Sequence, residues 1–226
     1  MPVIASNHQL LEILPPEERQ VLERLCPPRR FKKGDPVYRY QDRADDLYIV
    51  LEGKVKISVP TPDGGERILS ILGPGDFFGE SFLSGQERHS SEAVAVTERV
   101  VASPVCADKI MRMPNVALSL ARVLAMRVQE LESQLEATTA PVGARVGNSF
   151  LAFARRFGEG DGPRKSVKLD LTHEELAAFV GSTRVTVTNA LGELRDLGLV
   201  EGTRGQYEIN VPALEEYVES QGLVHA

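Results

Sequence analysis

The chain has 226 residues, with 26 Lys and Arg against 32 Asp and Glu, a formal net charge of −6, and 42% hydrophobic residues. That length holds one large or two small cores, and no apolar run approaches the roughly 18–20 residues needed to cross a bilayer. The acidic balance excludes a broad, salt-driven hold on nucleic acid, and two cysteines, Cys26 and Cys106, are too few for an all-cysteine iron–sulfur cluster.

The opening MPVIASNHQLLEIL has neither a basic lead nor a sustained apolar stretch, so no secretory signal is expected, and the two separated thiols fit a reducing cytoplasm. Pro15-Pro16-Glu17 begins a helix within 8–25, with Val21, Leu22 and Leu25 on one side. From Phe31 to Val105 short β-type runs alternate with glycines: Pro36–Tyr40, Leu47–Leu51, Lys54–Pro60, Arg67–Leu72, Phe77–Phe78, Glu92–Val96 and Arg99–Ser103. Val55, Ile57 and Val59 have the period of two of a half-buried strand, and Asp63-Gly64-Gly65 reads as a hairpin turn. Short strands at this spacing predict a small barrel or roll.

A long helix is expected over residues 115–137, bounded by Pro114 and Pro141. Leu120, Leu124, Val128, Leu131 and Leu135 recur at intervals of three and four, the seam of a two-stranded coiled coil. A helix of this length, about 34 Å, can pair along that seam with a second copy, so a homodimer is expected. Residues 140–143 form a hinge, 144–158 an amphipathic helix, and Val167–Leu169 a short strand.

The stretch from Leu171 to Leu199, LTHEELAAFVGSTRVTVTNALGELRDLGL, reads as two short helices joined by a tight turn. Thr172 and Glu175 make a capping box, Gly181 supplies the turn, and Ser182 is expected to cap the second helix. Val187, Leu191 and Leu194 should face a core, leaving Arg184, Val185, Thr188, Asn189 and Arg195 on the opposite face. Leu199–Glu201 and Tyr207–Asn210 flank Gly202-Thr203-Arg204-Gly205, a hairpin that would make this a winged helix with Arg204 at the wing tip. Pro212–Glu219 reads as a closing helix. From Ala140 onward nine Lys and Arg face twelve Asp and Glu, so positive charge can only be local, around Arg164, Lys165, Lys168, Arg184 and Arg204.

With strands, long helix and winged helix in this order, the chain resembles the cyclic AMP receptor protein / fumarate–nitrate regulator (CRP/FNR) superfamily of bacterial transcription regulators. The resemblance rests on FKKGDPVY (31–38), DLYIVLEGKVKI (46–57), GPGDFFGESFLSG (73–85) and GSTRVTVTNALGELRDLGLV (181–200). It implies an α+β chain: an N-terminal β-roll of the cyclic-nucleotide-binding type over 1–114, a dimerisation helix over 115–138, and a C-terminal winged helix–turn–helix over 139–226. It also implies a palindromic double-stranded DNA site and an encounter with RNA polymerase, with no membrane and no enzymatic role. A cupin-type metalloenzyme would need several histidines in the barrel, whereas the four here stand at 8, 89, 173 and 225.

In cyclic-AMP-binding members of the family the FGE element serves phosphate and ribose, and a later Arg-Ser/Thr pair holds the cyclic phosphate. A carboxylate accepts from a ribose hydroxyl and a guanidinium forks onto phosphate oxygens. The matching residues here are Phe78, Gly79, Glu80 and Ser81, followed by Arg88, His89 and Ser90. Arg88 stands one place early for the pair, and the Thr-Ser that reaches the adenine is replaced by Glu130 and Leu131. The resemblance therefore leaves cyclic AMP, no effector, or a 2-oxoglutarate-type ligand read by Arg127 and Glu132, as in the cyanobacterial nitrogen regulator. Arg127 and Glu132 are equally expected as solvated flanks of the seam, and His89 as a lone surface histidine rather than a haem ligand.

At the DNA, Arg184 is the expected bidentate partner of a guanine and Val185 of a thymine methyl; cyclic-AMP-type readers carry glutamate at the latter position. Asn189 pairs with adenine or a phosphate. Ser182, Thr183, Thr186 and Thr188 line the backbone, Lys168 and Arg204 stand at the periphery, and His173 approaches a phosphate or solvent.

Overall fold

The computed structural model describes residues 3–4, 10–62, 64–136, 140–169, 171–203 and 205–222, apart from the side chains at 3–4, 11–12, 22–25, 107, 111, 130–136 and 203. Two compact units result, Asn7–Gln129 and Met1–Ser6 with Glu130–Ala226. A two-residue strand β1 (Val3–Ile4) precedes the helices α1 (Leu10–Ile13) and α2 (Pro16–Leu25), which Leu14-Pro15 separates.

In the first unit β2 (Arg29–Lys32), β3 (Pro36–Tyr38), β4 (Asp46–Glu52), β5 (Val55–Pro60), β6 (Glu66–Leu72), β7 (Phe77–Phe78), β8 (Glu92–Ala95) and β9 (Arg99–Cys106) form two antiparallel layers. One runs β6-β5-β8-β3, the other β2-β9-β4-β7. A 3₁₀ turn (Glu80–Ser84) follows β7, and α3 (Ala107–Met111) follows β9. The β5–β6 hairpin closes by the Thr61 N–H donating to the Gly65 carbonyl (2.9 Å), with Gly64 at φ +84°; Asp63 of the expected turn lies outside the described residues.

β5 differs from the expected half-buried strand, because Lys56 and Ser58 are buried along with Val55 and Ile57. It is the inner strand between β6 and β8, so long side chains from both neighbours reach across it. The two polar side chains find partners there: Lys56 Nζ donates to Glu66 Oε1 (2.6 Å) and Ser58 Oγ to Glu92 Oε1 (3.2 Å). Buried polar groups persist when paired in this way.

α4 (Pro114–Glu136) completes this core. Val116, Leu120 and Val123 pack with Leu10, Leu47, Ile49, Phe77, Val105 and Ile110, and Leu124 lies partly buried beside them. The expected seam is therefore divided. Leu120, at 2% exposure, belongs to the core of the first unit, whereas Val128 is 53% exposed. The open stripe of the helix is Leu118 (53% exposed), Ala121, Ala125 and Val128; it shares Val128 with the expected seam, but Leu118, Ala121 and Ala125 stand outward in place of Leu120 and Leu124. Leu131 and Leu135 carry side chains outside the described set.

The second unit contains α5 (Val142–Phe157), β10 (Arg164–Lys168), α6 (His173–Val180), α7 (Arg184–Asp196), β11 (Val200–Thr203), β12 (Gln206–Asn210) and α8 (Val211–Ser220). The strands pair antiparallel in the order β10-β12-β11, so β10 is longer than the run expected from sequence. Phe150, Phe153, Phe179, Leu191 and Leu194 are fully buried. Tyr207 of β12 meets Phe150 edge-on at 4.9 Å, which roots the hairpin in that core. Among the described residues no helix is long and apolar enough to cross a membrane.

Candidate nucleic-acid interface and effector site

α6 begins with the expected capping box: Thr172 Oγ1 accepts from the Glu175 N–H (3.1 Å) and the Glu175 carboxylate from the Thr172 N–H (2.9 Å). Gly181, at φ +67°, ends the helix in the left-handed conformation that glycine adopts without a Cβ penalty. The cap of α7 is Thr183, not Ser182. The Ser182 N–H is spent on the Ala177 carbonyl (3.0 Å), which finishes α6, so the next residue accepts from the Thr186 N–H (3.2 Å).

This shift aims the helix. Val187, Leu191 and Leu194 turn inward, while Arg184, Val185, Thr186, Thr188 and Asn189 are exposed, Val185 by 68%. Thr188 Oγ1 donates to the Arg184 carbonyl (2.8 Å), leaving its oxygen to accept from His173 Nδ1 at 3.3 Å. In this arrangement Nδ1 carries the ring proton. Ser182 is partly exposed and Lys168 exposed on β10. Arg204 lies outside the described residues. A cleft of about 530 Å³ gathers Thr172, His173, Arg184, Arg195, Gly205 and Tyr207. Arg195, given no role by the sequence reading, brings a second guanidinium to that cleft; its signal was the helical spacing from Arg184.

The candidate effector residues behave differently. Gly79 sits at φ +84°, where a Cβ would stand 3.0 Å from the Asp46 carbonyl oxygen and 3.2 Å from the Tyr48 ring. This backbone position needs glycine. Phe78 is buried against Tyr48, ring centroids 5.3 Å apart. Glu80 is held by Arg127, whose Nη1 lies 3.3 Å from Oε1, while Nη2 donates to the Phe77 carbonyl (2.7 Å) and the guanidinium covers the Phe77 ring at 4.2 Å. Arg127 is thus no solvated flank; 16% of its side chain is exposed.

Arg88 is exposed, and its Nη1 donates to the Gln41 carbonyl (2.7 Å). Ser81 is partly exposed and Ser90 exposed. His89 corrects the expectation of a surface histidine. It is 1% exposed, stacked on Tyr38 at 3.6 Å with 11° between planes, because its loop is pinned by backbone bonds to Gln41 and Asp42. Its Nδ1 has no hydrogen-bond partner among the described residues. Burial lowers the His89 pKa against an opposing pull from Asp42, Asp45 and Asp46, and burial raises that of Tyr38, whose hydroxyl meets Ser91 Oγ at 3.4 Å. The Glu130 and Glu132 side chains lie outside the described set. Among the described residues no group of His, Cys, Asp and Glu could hold a metal ion. Of the cyclic-nucleotide set, then, Gly79 and Glu80 stand together, while Arg88 is engaged elsewhere and His89 is packed into the wall.

Residues 28–113 match the cyclic nucleotide-binding domain family and residues 144–217 the Crp-like helix-turn-helix domain family. The "CRP-like cAMP-activated global transcriptional regulator" of Mycobacterium tuberculosis is 34% identical over 88% of this chain and 91% of its own length. The chain belongs to the CRP/FNR superfamily. The "Cyclic AMP receptor protein" of Thermus thermophilus is 33% identical over 91% of this chain and 94% of its own length. The solved structure of a CRP/FNR-family transcriptional regulator from the same species aligns with a TM-score of 0.67 at 31% identity, covering 86% of this chain and 100% of that one. This CRP/FNR protein is accordingly a DNA-binding transcription regulator and not an enzyme, with a domain of the cyclic nucleotide-binding family, called the sensing domain below, in the same chain as its reader.

Proposed function

We propose that the protein is a homodimeric regulator that binds a two-fold-symmetric promoter site through paired α7 helices and needs no cyclic AMP to do so. The observation that carries the DNA reading is the exposed first half of α7, where the Arg184 and Val185 side chains have, among the described residues, no partner that competes with a base edge. Two such helices about 34 Å apart would meet successive major grooves. Dimerisation is assigned to the open stripe Leu118, Ala121, Ala125 and Val128, whose spacing of three, four and three residues is that of a helix seam. Thr183, Thr186, Asn189, Lys168 and Arg204 are proposed backbone contacts, and RNA polymerase the protein partner at the promoter. A cytoplasmic location follows from that role.

Effector independence is supported by the engagement of Glu80 with Arg127 and of Arg88 with the Gln41 carbonyl. Cyclic AMP is the second reading, favoured by the names of two relatives and by the Gly79–Glu80 pair. Fluorescence anisotropy on an operator selected from genomic fragments separates the two. We expect the same Kd with and without cyclic AMP. A tightening of tenfold or more, reversed in Glu80→Ala, would replace the first reading by the second, and absence of any sequence-selective binding would overturn both.

A further inference from the structure

We propose that Arg195 is a positioning residue that fixes the wing against the recognition helix, so that the wing's contact with a DNA phosphate depends on it. The inference rests on the DNA-binding reading above. Arg195 lies in the last turn of α7, eleven residues after Arg184, a spacing that at 3.6 residues per turn returns to nearly the same side of the helix. Its Nε donates to the Gly202 carbonyl at 3.1 Å. Gly202 sits where the hairpin is tightest: φ is +97°, and a Cβ would run into the Gln206 carbonyl oxygen. On the other side of the tip the Leu169 N–H donates to the Gly205 carbonyl (2.6 Å).

These two bonds bracket residues 203 and 204, while Tyr207 holds the root in the core. β12 is paired along its length with β10, but β11 is a four-residue edge strand held only by β12, so the bond from Arg195 is a second tie on that side of the wing. The tie comes from the helix that reads the bases, and that makes helix and wing one surface. Arg195, Arg184 and His173 also line one cleft with Gly205, so that end of β12 stands beside two guanidinium groups.

The chemistry supplies a sharp test. In Arg195→Gln the side-chain N–H stands the same number of bonds from Cα as arginine Nε, with the charge removed. Arg195→Lys keeps the charge and places a methylene where Nε was. Binding to a mixed-sequence 30-bp duplex, titrated with salt, is the readout, with Arg195→Ala, Arg204→Ala and their double variant alongside. We expect Arg204→Ala to weaken binding several-fold and to lower the salt slope by about 0.9, one phosphate contact. Arg195→Ala and Arg195→Lys should do the same, Arg195→Gln should stay within twofold of the parent, and Arg195→Ala added to Arg204→Ala should change little. Lysine retaining full affinity while glutamine loses it, or the two alanine effects simply multiplying, would overturn the proposal. Unchanged thermal melting in glutamine and lysine variants keeps folding out of the comparison. A parent protein that fails to bind any duplex would instead remove the DNA reading itself.

Discussion

The sensing domain and the reader keep their functional side chains in opposite states. In the reader, Arg184, Val185, Thr186 and Asn189 project into solvent while the residues between them hold the core. In the sensing domain the corresponding candidates are already occupied: Glu80 by Arg127, Arg88 by a carbonyl, His89 by the face of Tyr38. A surface that must meet a rigid duplex gains from side chains such as Arg184 and Val185 that stand open to it, even where Thr186 shares a hydroxyl contact with Thr183 (2.8 Å). A site whose charged groups are already paired, as Glu80 and Arg88 are, has to break those contacts before it accepts a ligand, and the ligand must supply the difference in affinity between the two states.

The sharpest way to break this contrast lies on α4. Leu120→Ala should destabilise the sensing domain by about 2–5 kcal/mol through the cavity it leaves, seen as a lower urea midpoint. Leu118→Ala, two residues away on the open stripe, should leave that midpoint unchanged and weaken self-association in sedimentation. Equal effects of the two would erase the division between inner and outer stripes. On the reader, Arg184→Ala should lose about 1–3 kcal/mol of discrimination at one base position per half-site with no change in melting. Equal losses on selected and random duplexes would deny it a base contact.

The smallest effect concerns His89. Burial lowers the pKa of its imidazole in the folded chain, so the unfolded chain takes up a proton at higher pH. The stability this contributes is complete above the ordinary histidine pKa of about 6.5 and declines as the pH falls through that value toward the lower folded one. Unfolding free energies between about pH 7.5 and 5 should therefore decline less steeply in His89→Gln than in the parent. Parallel curves would mean that folding leaves the imidazole's proton affinity unchanged, and a parent curve shallower than the variant's would mean that folding raises it.

Much of the reader was legible because its signals are local. The Thr172–Glu175 box, the Gly181 turn and the inward Val187, Leu191 and Leu194 all act within a few residues. Ser182 and Thr183 were not separable, since both are good caps. The choice is made by which N–H is needed to finish α6. On α4 two apolar stripes interleave, and nothing in their spacing says which the sensing domain will cover; the bulkier one went inward. His89 was misread for a similar reason. Its burial comes from Tyr38, fifty-one positions earlier in the chain, a contact that only the folded sheets create.

The two alanines in the open stripe of α4 carry a mechanical consequence. Helix axes pack about 8–10 Å apart according to the side chains at the crossing, and Ala121 and Ala125 are among the shortest that could be there. In the proposed dimer they would act as a gauge block: a leucine at either place would wedge two copies apart near the middle of the helix. Any change of gap at that fulcrum would alter the pitch at which a pair of readers meets successive turns of the duplex, without touching a single residue that faces a base.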